Sequence, residues 1–423
     1  MQPHNPIEHV VIIIKENHTF DNYFGTFPGA NGDASLAHAP DPPAGDPPHD
    51  HAAWLRRATG AVRQQYSEAD IPGYFAAARQ FTLCDNYFTE IASQSEPNHL
   101  TLIAADSPVI DNSGPQRPYQ PQPPFNLPSL PASLVKGGLT WKTYGDPSFT
   151  YFDHITALKG SPQIVPWTSF DADAAAGSLP SVSWVYATGQ YGEHPPHGGS
   201  SASVVKTGMQ WTVDRISSVG KSSLWANTVI FVTWDDWGGW YDHVEPALKD
   251  TWKGGGPASG PSYTGTQFSY GPRVGCLVIS PYARKGYISK ALHSHVSLLR
   301  FCETTYGIAP ISQRDAASDD MSDCFDFSQT PLPPPVLGQS GGPTPTPLPK
   351  PKKPAPKPKK PAPKPKKPAP KPKKPSPKPQ KASPKPKKPA PKPKKPSPKP
   401  TKPSLKKKKT AQRPRRKVAG RKP

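Results

Sequence analysis

The chain of 423 residues holds only four cysteines and three methionines. It contains no run of about 18 apolar residues, so no membrane-spanning helix is legible in it. Cys84, Cys276, Cys302 and Cys324 form no CxxC pair and no Cys/His cluster of zinc-finger spacing. Cys276 sits in the apolar run Val274 to Ile279 and reads as a buried, inert thiol, and nothing in the spacing supports a disulfide between Cys302 and Cys324. Met1 to Pro6 carry neither a charged region nor an apolar signal core ahead of the first strand. By that reading the chain is cytoplasmic by default, or is separated from its export signal.

Acidic residues are absent from one whole region. Residues 341–423 carry 32 Lys and Arg and no Asp or Glu, which leaves 20 basic against all 31 acidic side chains in residues 1–340. A core of net −11 is therefore attached to a tail of net +32, and the overall pI of 9.7 describes neither. From Pro351 to Lys406 the tail is eight seven-residue units that begin Pro-Lys-Lys-Pro-Ala-Pro-Lys. The period is not that of a coiled coil, because there is no apolar seam and proline recurs within the units. Like-charge repulsion and proline predict an extended, disordered segment. The expected division is an enzyme-like domain over residues 1–336 and a Lys/Pro-rich tail over 337–423.

Two apolar runs end in acids. His9 to Lys15 leads into Glu16-Asn17-His18-Thr19-Phe20-Asp21, and Val229-Ile230-Phe231-Val232 leads through Trp234 into Asp235-Asp236-Trp237-Gly238-Gly239-Trp240-Tyr241-Asp242-His243. Continuous apolar runs predict strands buried on both faces, and in open α/β sheets chemistry collects beyond the carboxyl ends of such strands. Helical patterns alternate with these strands, over about Asp70 to Gln80 with Asp70 as N-cap, from Ser95 through Ala105, over Ser203 to Val219, and from about Ser294. The expectation is an α/β fold whose mainly parallel central sheet is flanked by helices. Residues 25–51 are too rich in Pro, Gly, Asp and His for regular structure.

Glu16, Asn17, Asp235 and Asp236 offer hard oxygen ligands suited to a divalent metal. Ser95 stands where a helix can begin, which makes it either an ordinary N-cap or a nucleophile beside unpaired N–H groups. His194, Asp242, His243 and His51 are the further candidates for acid–base work.

The segments Glu16-Asn17-His18-Thr19-Phe20-Asp21-Asn22-Tyr23-Phe24-Gly25, Ser95-Glu96-Pro97-Asn98-His99 and Thr233 to Val244 together resemble, in order, the signature blocks of the bacterial phosphoesterase family that contains phospholipase C and a group of acid phosphatases. The resemblance spans about residues 7 to 334 and implies an alkaline-phosphatase-like fold with metal-assisted phosphoester hydrolysis. Glu16, Asn17, Ser95, Asp235 and Asp236 match the metal-holding positions, with Ser95 also the nucleophile. His194 matches a histidine near the transferred phosphoryl group, and Asp242-His243 match the pair that closes the acidic block. Ser95 replaces the threonine usual in phospholipase members, as in the acid-phosphatase branch, and many relatives are secreted to the envelope or beyond. The implied substrate is a phospholipid or phosphomonoester; the tail lies outside the resemblance, and its net charge of +32 points to a polyanion such as nucleic acid, anionic lipid or a cell-envelope polymer. The alternative is a catalytically degenerate domain that displays a polyanion-binding tail.

Overall fold

The computed structural model describes residues 5–118, 120–196, 202–251 and 267–337. The Lys/Pro repeat tail, and with it the expectation of disorder, lies outside the described residues. The sheet contains nine strands. They are β1 His9–Lys15, β2 Thr82–Phe88, β3 Trp141–Tyr144, β4 Ile164–Val165, β5 Val182–Tyr186, β6 Thr228–Trp234, β7 Arg273–Ile279, β8 Tyr287–Ser289 and β9 His293–Ser294. Their order is β8-β2-β7-β6-β1-β5-β3-β4, with β9 also on β2. All pairings are parallel except the two made by β7, with β2 and with β6. The mainly parallel α/β sheet expected from the sequence is thus the one observed.

Both faces of the sheet are covered because its strands have no polar face to offer water. Val10, Val11, Ile12, Ile13 and Ile14 of β1 are all buried. Five helices matter here: α1 Phe20–Phe24, α2 Pro72–Gln80, α3 Ser95–Ala104, α4 Val205–Gly220 and α5 His295–Tyr306. Side-chain parity assigns them to layers. Ile12 is in register with Trp184 and Phe231; Trp184 donates its indole N–H to Leu102 of α3, and Phe231 packs edge-on against Phe301 of α5. The opposite parity carries Lys15 and Trp234, which meet Trp211 of α4 and Tyr74 of α2. So α3 and α5 cover one face, and α2 and α4 the other.

The helix ends differ from the sequence pattern where distant residues intervene. Helix α2 has Ile71 at its N-cap and Pro72 in its first turn, while the Asp70 carboxylate is used by the Ser67 N–H at 2.8 Å and by His38. Helix α4 begins at Val205, and its first turn is capped from the long loop: Asp41 accepts from the N–H groups of Val204, Val205 and Lys206 at 2.8, 3.1 and 3.0 Å. A cap 163 residues away in sequence leaves no local signature.

Candidate active site

Strands β1 and β6 lie side by side and parallel, so Glu16-Asn17 and Asp235-Asp236 emerge together at the same sheet edge. The Asp235 N–H bonds to the Lys15 carbonyl at 2.9 Å, and the Asn17 N–H returns a bond to Asp235 Oδ1 at 3.0 Å. Asn17 is turned into the left-handed region (φ 64°), and Gly238 is needed opposite it, since a Cβ there would stand 2.3 Å from the Asn17 carbonyl oxygen. Helix α3 brings the third component. Its N-cap is Gln94, which frees Ser95 from capping, and the Ser95 hydroxyl donates to Asp236 Oδ2 at 3.2 Å.

The charge balance of this cluster is unfavourable without a cation. Glu16, Asp235 and Asp236 are all buried. Burial, then the neighbouring Asp235 and Asp236, push the Glu16 carboxyl well above its ordinary range; burial and Asp235 do the same to Asp236. Burial also acts against the Asp235 charge, but His99, 3.2 Å away, helps hold that carboxyl at about 2. Among the described residues, two polar atoms of the cluster are left over, His99 Nδ1 and one of Asn17. The Asn17 side-chain oxygen is buried and without a hydrogen-bond partner, while its amide nitrogen lies 3.3 Å from His49 Nε2. His49 Nδ1 in turn faces the Pro47 carbonyl at 2.7 Å, so Nε2 is the ring atom left to accept from the Asn17 amide, which directs the amide oxygen elsewhere. Clustered oxygen donors, uncompensated negative charge and an orphaned amide oxygen fit a divalent cation.

Beside the cluster opens a cleft of about 460 Å³ whose walls include Glu16, Asp46, His49, Ser95, Tyr151 and His194. His194 is held there by its predecessor. Glu193, fully buried and in the left-handed region, accepts from Tyr74 OH at 2.5 Å, Trp234 Nε1 at 2.9 Å and Tyr23 OH at 3.0 Å, and lies 3.3 Å from Lys15 Nζ. Because Lys15 precedes Glu16 and Glu193 precedes His194, this buried pair fixes the acid cluster and the histidine loop to each other. Burial lowers the His194 pKa, against the pull of Asp46, so the ring is neutral at neutral pH.

Of the residues singled out from sequence, Glu16, Asn17, Ser95, Asp235 and Asp236 come together, and His194 lines the same cleft. Asp242, His243 and His51 are not among the cleft-lining residues. The turn at Gly238-Gly239 carries the chain away, and Asp242 pairs with the buried guanidinium of Arg273 at 3.0 Å while His243 meets Asp21 at 2.7 Å. Those contacts fasten α1, whose Asp21 N–H bonds to Asp242 Oδ2 at 2.9 Å. His51 turns its ring to the Ala92 carbonyl at 2.9 Å, and His49, two positions earlier, takes the place in the cleft. His49, His99, Asp46 and Glu193 were not identified as site residues from sequence. Only His99 had a local signal, as the last residue of the Ser95 segment.

The chain matches the profile described as the phosphoesterase family over residues 7–45 and 45–309. It belongs to that family. The chain is 27% identical over 401 residues to the non-hemolytic phospholipase C of Pseudomonas aeruginosa, covering 76% of this chain and 57% of that protein. It is 26% identical over 431 residues to the non-hemolytic phospholipase C of Burkholderia pseudomallei, covering 76% of this chain and 59% of that one. Against phospholipase C A of Mycobacterium tuberculosis the identity is 27% over 420 residues, covering 77% and 78%. The chain thus spans less than two thirds of the first two relatives. Among solved structures, murine ectonucleotide pyrophosphatase/phosphodiesterase 5 in complex with AMP overlays with a TM-score of 0.42 at 10% identity, covering 75% of this chain and all of that one (100%). A protein of the alkaline phosphatase superfamily from Vibrio parahaemolyticus gives 0.40 at 13%, covering 76% and 71%. Overlays this loose carry no argument.

Proposed function

We propose that the phosphoesterase hydrolyses phosphodiesters with Ser95 as nucleophile, in the manner of a phospholipase C, and that Glu16, Asn17, Ser95, Asp235 and Asp236 hold a divalent cation. The observation that carries this reading is the Ser95 hydroxyl at the start of α3, 3.2 Å from Asp236, in a cleft beside buried carboxylates and an unpartnered amide oxygen. When bound, the cation supplies charge neutralisation at the phosphoryl oxygens and lowers the pKa of the serine hydroxyl.

The protein's own groups account for the remaining steps. Ser95 attacks phosphorus as its proton moves toward Asp236. The bond from phosphorus to the leaving oxygen breaks, and His194, which takes up a proton as the anionic diester binds beside it, protonates that oxygen. Water then attacks the phosphoserine, His194 takes its proton, and the bond from phosphorus to Ser95 breaks as Asp236 returns the proton to the serine oxygen. A diester is favoured by charge: among the described residues, no Lys or Arg lines the cleft, whereas Glu16 and Asp46 do. A monoanionic diester tolerates such walls better than a dianionic monoester. The relatives named phospholipase C support the same choice.

Ser95→Ala should abolish hydrolysis of p-nitrophenyl phosphorylcholine while metal content stays near that of the wild type. Near-normal turnover by the folded variant would exclude the serine mechanism. Faster hydrolysis of p-nitrophenyl phosphate than of the diester by the wild type would exclude the substrate assignment.

We further propose that residues 1–336 are the catalytic domain and 337–423 a polyanion tether, from the net charges of −11 and +32 on either side of residue 340. Binding of duplex DNA or heparin by such a tail weakens steeply with salt, by a slope of about −0.9 per neutralised phosphate on DNA. A chain ending at Leu337 should keep its activity on small substrates and lose retention on heparin at low salt. Retention without the tail would refute the tether.

A further inference from the structure

Away from the cleft, three residues far apart in sequence meet under the sheet. Cys84 of β2, His293 of β9 and Cys324 of the turn at Ser322–Cys324 are all buried, with ligand atoms within 4.8 Å of one another. Asp323 completes the group from the same turn. The separations are 3.6 Å between the two sulfurs, 3.9 Å from Cys324 Sγ to His293 Nε2, 3.5 Å from Cys324 Sγ to Asp323 Oδ1, and 3.1 Å from His293 Nε2 to Asp323 Oδ1. A tetrahedral zinc ion bound at the usual lengths to two sulfurs, a nitrogen and an oxygen has ligand–ligand edges of roughly 3.3–3.8 Å. Four of the six edges are therefore near those lengths before any ion is added; Cys84 and His293 lie within 4.8 Å, and Asp323 has to turn toward Cys84 to complete the coordination.

The geometry points to a structural zinc site formed by Cys84, His293, Asp323 and Cys324, which ties the segment that leads to residue 337 onto the sheet. The surrounding residues are arranged as supports for it. Asp319 Oδ1 lies 2.7 Å from His293 Nδ1, close but outside hydrogen-bond geometry, and so leaves Nε2 to face the sulfurs. Ser289 donates to Asp323 Oδ2 at 2.6 Å, which leaves Oδ1 directed at the same point. Ser289 also lies 2.9 Å from Nε2, the contact that an ion would replace. Asp323 is partly exposed and provides the route of entry.

The chemistry requires proton release. Burial pushes the Cys84 thiol up, and its contact with Cys84 followed by burial does the same for Cys324. Burial works against the charge on His293, yet Asp319 and Asp323 raise its pKa to about 11. Zinc would bind two thiolates, a neutral imidazole and a carboxylate, displacing a proton from each sulfur and one from the ring. No change of oxidation state is involved. Soft thiolates with imidazole select zinc here, whereas the oxygen donors at Glu16 and Asp235 suit harder cations.

The test uses the full chain produced in zinc-supplemented medium and dialysed free of loose metal. Wild type should retain one zinc more than Cys84→Ser or Cys324→Ser, and Asp236→Asn, which weakens only the cleft cluster, should keep it. Cobalt-substituted wild type should show a thiolate-to-cobalt charge-transfer band in the near ultraviolet, a readout that does not depend on any variant folding. Absence of that band, or zinc content unchanged in both cysteine variants, would overturn the site. So would a mass two hydrogens light, which would report a Cys84 to Cys324 disulfide instead.

Discussion

Replacing Glu193 by glutamine changes one atom type at the centre of the site's support, and the structure sets the cost. Lys15 and Glu193 are both fully buried, 3.3 Å apart. Lys15 retains the carbonyls of Gly208, at 3.2 Å, and Tyr191, but no anion to neutralise it in direct contact. A buried charge stripped of its partner costs about 3–5 kcal/mol. The amide also has only one acceptor for donors that now reach both oxygens. Either Trp234 Nε1–H or Lys15 then faces an NH₂ group, a conflict worth about 1–3 kcal/mol. The two costs overlap, because Lys15 can shed its proton. The expected loss at neutral pH is about 3–5 kcal/mol, or roughly 5–10 °C in Tm for a domain of this size.

The pH dependence follows in sign. Burial already lowers the Lys15 pKa against the pull of Glu193, and the substitution lowers it further. A base with a lowered folded pKa destabilises the fold while it stays charged, so the deficit should be largest at neutral pH and shrink as pH rises toward about 10, the unfolded value. Urea unfolding of wild type, Glu193→Gln, Lys15→Met and the double variant across that range measures it, and the double variant should recover part of the loss. A deficit below about 1 kcal/mol at pH 7, or one independent of pH, would refute the argument.

Two further outcomes follow from the acid cluster. Glu16 and Asp236 are raised by burial and by the neighbouring Asp235, so the folded chain holds protons that the unfolded chain has released. Chelated protein should therefore lose stability as pH rises from about 4 through those raised values, and the Tm gain from manganese or magnesium should grow over the same interval; equal gains at both ends would disprove it. His243→Ala should keep hydrolysis within a few-fold of wild type, because His243 contacts Asp21 rather than lining the cleft, whereas His49→Ala should lower metal content by releasing the Asn17 amide. The reverse ranking, read by metal analysis and kcat together, would restore His243 as a site residue.

Much of the site is written locally. The apolar runs before Glu16 and Asp235 force those acids to strand ends, and a parallel sheet collects strand ends on one edge, so their meeting follows from periodicity and packing alone. Ser95 at the head of α3 was legible for the same reason, although only the structure shows that Gln94 takes the cap. His49 against His51 could not be decided from sequence. Both lie in or beside a loop without periodicity, and a shift of two residues moves a ring from the Ala92 carbonyl to the Asn17 amide. Asp242-His243 adjoin the acid pair in sequence, but the turn at Gly238 sends Asp242 to Arg273 and His243 to Asp21. Cys84 and Cys324, 240 residues apart, show no spacing at all, yet their sulfurs lie 3.6 Å from each other. Sequence determines the pieces whose signal is local: strands, helix starts and the acids attached to them. Tertiary structure alone decides which distant side chains share a point in space, because a loop's path depends on every surface it packs against.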